Sequence, residues 1–401
     1  MSLNETASAD RLHIGFFGMR NAGKSSVVNA LTGQELSVVS DYAGTTTDPV
    51  KKAMELLPLG PVVIIDTPGI DDVGELGEKR VNAAKRVLAS CDVGVLVVDG
   101  TKGLMEWDRR LLSHMEKRGI AHITVFNKCD LLESGACTPS DASICVSAVT
   151  GEGIGALKEM IASAAKPAEN PRRIVSDLLS PGDHVILVTP IDSAAPKGRL
   201  ILPQQQTIRD ILDSGCIATV TKETELERTL SLLKAPPKMV ITDSQAFGKV
   251  SKIVPESIPL TSFSILFARY KGNLVSSVKG AAALAKIKSR DKVLISEGCT
   301  HHRQCGDIGT VKLPAWIRDF TGEEPEFEFT SGNTFPDDLS QYKAVIHCGG
   351  CMLTEKEMRY RARLCEDSGV PMTNYGMTIA YLHGILKRSL ELFPEILDEI
   401  R

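Results

Sequence analysis

The chain contains no uninterrupted apolar stretch of about 18 residues, the length that a membrane-crossing helix needs, so neither a membrane span nor a membrane partner is expected. Its amino end, MSLNETASADRLHIGFFG, has acidic residues where an export signal would have a basic segment followed by an apolar one, which points to a cytoplasmic protein. Long basic runs are missing too. Lys and Arg number 46 against 50 Asp and Glu, a formal net charge of -4. No aromatic platform is visible either, so the surface that nucleic-acid binding requires is not built. There is no fixed-period repeat and no low-complexity tract. What remains is 43% apolar and 24% charged residues, close to globular averages, which excludes a disordered or collagen-like chain. At roughly 100 to 200 residues per domain, 401 residues divide into two or three units.

Ten cysteines stand at 91, 129, 137, 145, 216, 299, 305, 348, 351 and 365. In a reducing compartment clustered cysteines mean metal or catalysis more often than disulfides. Most of the ten are single and read as core or loop residues, Cys305 and Cys365 among them. The group from 299 to 351 does not.

From Ile14 to about Lys166, the apolar runs HIGFFG, VVIIDTPG, VGVLVVDG and HITVFNK alternate with helix-length segments such as KSSVVNALTG and GEKRVNAAKRVLASC. That alternation predicts a mainly parallel sheet with crossover helices. Two prolines in Lys166-Pro-Ala-Glu-Asn-Pro-Arg-Arg mark a linker. A second alternation follows, with HVILVTPI, TIRDILDSG, CIATVTK, TELERTLSLLK and KMVITDS. Asp192 and Asp243 sit at strand ends there with no partner identifiable from sequence, and the segment reads as a scaffold or association domain. A break at Ile258-Pro259-Leu260 opens a third unit. It includes DKVLISEGCTHH, YKAVIHCGGCML, the helix TEKEMRYRARLCEDSG and a final apolar-faced helix containing IAYLHGILKRSLELF. Three α/β domains are therefore expected, over 1–166, 172–258 and 259–401.

Gly18-Met-Arg-Asn-Ala-Gly23-Lys24-Ser25 matches a phosphate-binding loop in full, after one strand and before a helix. In such a loop the backbone NH groups, here those of Asn21, Ala22, Gly23, Lys24, Ser25 and Ser26, cradle phosphates together with the positive helix end. Lys24 would contact the outer phosphates and Ser25 would hold magnesium. Thr45-Thr46-Thr47-Asp48 is a candidate first switch, with Thr45 at the nucleotide and Thr46 closing on magnesium and the terminal phosphate. Asp66-Thr67-Pro68-Gly69 supplies a carboxylate for the magnesium shell and the Gly69 amide for the terminal phosphate. Asn127-Lys128-Cys129-Asp130 follows another strand, and its aspartate can accept two hydrogen bonds from guanine N1 and N2, a donor pair adenine lacks. GTP and GDP are therefore the expected nucleotides, with Ser147-Ala148 in the last base-contacting loop. Lys24, Thr46 and Gly69 are the expected catalytic groups.

These five ordered motifs resemble the GTPase family that includes Era and MnmE, over about the first 165 residues. In its potassium-activated members an asparagine stands where Asn21 stands, and the resemblance implies a monovalent cation there; a loop asparagine that tolerates a turn conformation is the other reading. The residue after Gly69 is Ile70, which cannot orient water as a glutamine does. Catalysis would then rest on a cation at Asn21 and an acid from Asp71, Asp72 or Glu75, with slow hydrolysis suited to a switch.

Cys299-Thr-His301-His302 and His347-Cys348-Gly-Gly-Cys351 can meet if their strands neighbour each other in one sheet, at the carboxyl ends where open α/β sheets place ligands. Three thiolates with a replaceable fourth position suit an iron-sulfur cluster. A Cys3His zinc site uses the same residue types, and residue chemistry alone supports both equally. The pattern Cys-x-His, about 45 residues, His-Cys-x-x-Cys, behind a GTPase domain and a middle domain, resembles the HydF family of FeFe-hydrogenase maturation GTPases over essentially the whole chain. That resemblance implies a 4Fe-4S cluster on Cys299, Cys348 and Cys351, with His301 or His347 near or at the fourth position. It also implies dimerisation through the middle domain, and a carrier role in which a di-iron precursor made by radical-SAM maturases passes to the FeFe-hydrogenase apoprotein. The rival reading is a zinc-stabilised regulatory GTPase in RNA modification or ribosome assembly. A redox enzyme using its cluster for electron transfer would need a redox partner, which nothing in the sequence identifies.

Overall fold

The computed structural model describes all residues except 1–10, 34–49, 70–83, 85–86, 89, 118, 133–139, 166–172, 191–199, 299–306, 333, 351–352 and 398–401. The chain forms two compact units, Met1–Asn170 and Pro171–Arg401.

The first unit is built on a six-stranded sheet of β1 (Leu12–Phe17), β2 (Val50–Leu56), β3 (Gly60–Asp66), β4 (Val93–Asp99), β5 (Ala121–Asn127) and β6 (Ser143–Cys145). Their order is β2-β3-β1-β4-β5-β6, parallel throughout except for β2, which pairs antiparallel with β3. Helices α1 (Lys24–Thr32), α2 (Glu106–Lys117) and α3 (Ile154–Ala164) cover it. Side chains alternate between two cores, as a period of two on a doubly covered sheet requires. Ile14, Phe16, Val93, Val95 and Val97 pack with Val27, Val28 and Leu157, whereas Phe17, Val63, Ile65, Leu96 and Val98 pack with Leu111 and Met115. The chain leaves β1 toward β3 on one side and returns to β4 on the other, so the loop after β1 lies at the topological switch, where such sheets bind ligands.

The second unit holds two four-stranded, wholly parallel sheets. One contains β7 (His184–Val188), β8 (Ile217–Thr221), β9 (Met239–Thr242) and β10 (Leu260–Ser262) in the order β10-β9-β7-β8. The other contains β11 (Lys292–Glu297), β12 (Glu326–Ser331), β13 (Tyr342–His347) and β14 (Met372–Asn374) in the order β12-β11-β13-β14. Between them run α4 (Leu202–Asp213), α5 (Leu226–Ser231), α6 (Phe247–Ile253), α7 (Phe263–Tyr270), α8 (Leu274–Ala283), α9 (Leu313–Thr321) and α10 (Glu355–Asp367), followed by α11 (Tyr375–Leu382), α12 (Leu386–Ser389) and α13 (Pro394–Leu397).

The single long helix expected at the carboxyl end is thus three short ones. The first break is at Gly384, whose φ of 69° ends α11 while Gly384 N donates to Tyr381 O and Ile385 N to Ala380 O, a helix stop that suits glycine. The break turns the segment back toward the first of these sheets. Thr261 Oγ1 donates to Ser389 O at 3.0 Å, and Met377, Leu386, Leu390 and Phe393 share one core with Val185, Leu187, Met239 and Ile241. Among the described residues no helix is long and apolar enough to cross a membrane.

Candidate functional site

The phosphate-binding loop joins β1 to α1 as expected. No side chain caps α1 at Gly23, so the first backbone NH groups of the helix are left for an anion. Lys24 is buried, its ammonium donating to Gly18 O at 3.1 Å and Met19 O at 3.2 Å. Gly23 has no room for a side chain, because a Cβ there would lie 2.2 Å from Asn127 Nδ2. Asn21 is exposed at the crest of the loop with φ 63°, a left-handed conformation that asparagine tolerates.

Ser25 Oγ donates to Asp66 Oδ2 at 3.0 Å, while Asp66 Oδ1 is buried with no hydrogen-bond partner among the described residues. A hydroxyl beside a carboxylate with one buried oxygen left over is a fitting donor set for magnesium, a hard cation that takes oxygen ligands. The turn after Asp66 is held by Thr67, whose N and Oγ1 both donate to Phe16 O, at 3.2 and 2.6 Å. Gly69 abuts the loop, since a Cβ there would lie 2.9 Å from Arg20 Cα. Thr45 and Thr46 lie outside the described residues.

The base-side loops are tied to the phosphate side through Asn127. Its Nδ2 donates to Ala22 O and its Oδ1 accepts from Ala148 N, both at 3.1 Å. Lys128, at φ 67°, places its ammonium 2.6 Å from Asp99 Oδ2. Burial opposes ionisation of Asp99, but hydrogen bonds from Lys128 and Thr101 outweigh it and hold the carboxyl below its ordinary range. Sequence reasoning passed over Asp99, although it ends the strand VGVLVVD, which pairs in register with the strand ending at Asn127. Asp130 is exposed, as a base-reading carboxylate must be. Ser147 is wholly buried, and its Oγ accepts from Thr150 N at 3.1 Å, so its hydroxyl shapes the loop. Burial, with Glu152 and Asp130 nearby, pushes the Cys129 thiol up.

The strands preceding the two cysteine groups do neighbour each other: β11 and β13 are adjacent, with Ser296 opposite His347. The chain leaves β11 toward β12 on one side and returns to β13 on the other, so this sheet too has its switch point at the carboxyl ends of β11 and β13. Cys348 stands at that point. Its Sγ accepts from Gly298 N at 3.0 Å and Gly350 N at 3.4 Å, and its own N donates to Ser296 O at 2.8 Å. Gly350 must be glycine: its φ is 59°, and a Cβ would meet Met358 Sδ at 2.6 Å. A sulfur receiving two amide NH groups has the surroundings of a metal-bound thiolate, whose charge such donors stabilise.

His347 is fully buried, with both ring nitrogens engaged inside the protein. Arg361, a donor only, gives Nη1–H to His347 Nε2 at 2.9 Å, so the ring proton is on Nδ1, which donates to Cys348 O at 2.8 Å. Arg361 is itself buried, bonded through Nε to Glu357 at 2.8 Å and through Nη2 to Gly332 O at 2.9 Å, and lies over the Phe335 ring. In this arrangement His347 orients the Cys348 turn and has no lone pair to offer a metal. Cys299, His301 and Cys351 lie outside the described residues, among which no group of three or more His, Cys, Asp or Glu is placed to hold a metal ion. Cys365 is buried on α10 and its thiol is pushed up to about 12 by burial, a core residue as expected. Cys145 is disulfide-bonded, to a partner outside the described residues.

Three family models match consecutive stretches of the chain: a 50S ribosome-binding GTPase over 13–128, a hydrogen maturase F dimerization domain over 174–272, and a hydrogen maturase F tetramerization domain over 275–392. Curated relatives match the GTPase part. GTPase Der of Kosmotoga olearia is 39% identical over 128 residues, covering 31% of this chain and 29% of its own. The tRNA modification GTPase MnmE of Nitratidesulfovibrio vulgaris strain Hildenborough is 36% identical over 156 residues, covering 38% and 33%. The chain thus spans about a third of the length of these relatives. Among solved structures, Aquifex aeolicus Era bound to GDP and aluminium fluoride aligns with a TM-score of 0.36 and 19% identity, over 52% of this chain and 93% of that one.

Proposed function

The chain belongs to the hydrogen maturase F family, and on that premise we propose that it is a GTP-hydrolysing scaffold and carrier of FeFe-hydrogenase maturation. In this reading 1–166 is the GTPase domain, 172–258 the association domain and 259–401 the cluster-binding domain, and the protein is a cytoplasmic homodimer or higher oligomer. Its partners are the radical-SAM maturases, which supply a di-iron precursor, and the hydrogenase apoprotein, which receives it.

In the GTPase domain the free NH groups at the start of α1 receive phosphate oxygens, and Lys24 exchanges loop carbonyls for the outer phosphates. Ser25, Asp66 and Thr46 hold magnesium, which offsets phosphate charge. Asp130 reads guanine, and the Asn127 bridge keeps base and phosphate loops in register. With Ile70 after Gly69, no glutamine positions water, so hydrolysis is slow and depends on potassium at Asn21. GTP and GDP states then differ in their affinity for partners, which couples hydrolysis to cargo transfer.

At the second site Cys348, with Cys299 and Cys351, holds a 4Fe-4S cluster that provides an exchangeable position for cargo. The observation that carries this reading is the pair of amide NH groups aimed at Cys348 Sγ at a sheet switch point. Anaerobic reconstitution with iron and sulfide tests it. A brown protein whose visible absorption is lost in Cys348→Ala supports the carrier. Stoichiometric zinc with no cluster supports instead a zinc-stabilised regulatory GTPase.

A further inference from the structure

Lys271 occupies the turn between α7 and α8, where its backbone N donates to Phe267 O. It belongs to the stretch matched by the dimerization model, yet its side chain is buried within the stretch matched by the tetramerization model. There the ammonium donates to Gly350 O, in a short contact, and to Leu353 O at 3.3 Å. Both carbonyls belong to the turn that begins at Cys348. Gly350 is therefore gripped at both ends: its NH points at Cys348 Sγ and its carbonyl at Lys271.

Burying an ammonium carries a desolvation penalty of several kcal/mol, and a neutral donor would pin two carbonyls at less cost. A cation at this position is explained if the turn carries negative charge. We propose that Lys271 is a positioning residue for the metal loop: it fixes the Cys348 turn through the Gly350 and Leu353 carbonyls, and its charge offsets that of the thiolate-ligated cluster. The inference rests on the carrier reading above. Net charge and hydrogen bonding to sulfur are what set the potential of such a cluster, and loss of an outer partner lowers metal retention by about 10- to 100-fold. The role is invisible in sequence, because 79 residues separate Lys271 from Gly350.

The test is anaerobic reconstitution of the full chain as wild type, Lys271→Met and Lys271→Gln, followed by three measurements: release of iron to a chelator, the reduction midpoint by potentiometric titration, and thermal melting. Met keeps the apolar stem without charge or donor, whereas Gln keeps a donor without charge. Iron release at least about 10-fold faster in Met, with a more negative midpoint in both variants and melting close to wild type, is the expected result. A wild-type midpoint in both variants overturns the charge role, and wild-type iron release in Met overturns the positioning role. If wild type takes up no cluster, the carrier reading fails first. If wild type loads and the variants match it, only the assignment to Lys271 falls.

Discussion

Replacing Asn127 tests the link between the two halves of the nucleotide site. Asn127 is only 3% exposed, so Asn127→Ala strands the Ala22 carbonyl and the Ala148 amide, each now bonded at 3.1 Å. A buried polar group deprived of its partner costs about 1 to 3 kcal/mol; for two, with a water entering the vacated space, about 2 to 4 kcal/mol is expected. Asn127→Asp separates the bonds at nearly constant shape. One carboxylate oxygen still accepts from Ala148 N, but the other replaces Nδ2 opposite the Ala22 carbonyl and sets acceptor against acceptor. Asp is therefore expected to be at least as damaging as Ala. The chain has two tryptophans, Trp107 in α2 and Trp316 in α9, so a Trp316→Phe background lets fluorescence report the GTPase unit alone. With a urea slope of about 2 kcal/mol per molar, the midpoint falls by about 1 to 2 M. Midpoints within about 0.2 M of the parent for both variants, equivalent to under about 0.5 kcal/mol, would refute the reasoning.

Gly350→Ala forces a methyl toward Met358 Sδ at a left-handed φ; a loss of about 1 to 3 kcal/mol in the second unit is expected, and an unchanged melt followed through Trp316 would contradict it. Cys365, with its thiol held at about 12 by burial, stays unmodified by iodoacetamide at about pH 8 in the native protein and reacts in urea, as peptide mass mapping will show; equal labelling in both states would be the contrary result. The hydrogen bond from Arg269 lowers the Asp177 carboxyl. Its folded value lies below its unfolded one, so the contribution to stability is present above about pH 4 and is lost as pH falls through the folded value. Asp177→Asn should therefore lose less stability than wild type between about pH 6 and pH 3, read as urea midpoints, and equal losses would remove the pair from the account.

The parts of the site legible in the sequence are those whose residues are contiguous. A phosphate loop, the Asp66 turn and the Asn127 loop each carry their chemistry within a few positions, and alternating apolar runs fixed the strands that present them. Even the adjacency of the two cysteine-bearing strands could be posed as a condition, which the pairing of β11 with β13 meets. Partners distant along the chain were not legible. Arg361 reaches His347 across a turn and a helix, and Lys128 finds Asp99 on a neighbouring strand; such pairs depend on sheet order and helix phase, which no local pattern encodes. The two ring nitrogens of His347 make the point. A histidine beside a cysteine pair reads as a ligand until the buried arginine behind it is seen. Strand β2 was missed because VKKAMEL, a largely exposed edge strand, lacks an apolar run.

The return of the last helices to the core beneath β7 and β9 sets an order of events during synthesis. The GTPase unit can close once its own residues have left the ribosome, since its cores draw on nothing beyond Ala165. The sheet of β7 to β10 emerges next but must wait, with the apolar side chains of Val185, Leu187, Met239 and Ile241 uncovered, until Met377, Leu390 and Phe393 arrive more than a hundred residues later. At roughly 5 to 20 residues per second that interval is on the order of ten seconds. A nascent chain stalled within it would be a chaperone client, already carrying a finished nucleotide-binding unit at its head.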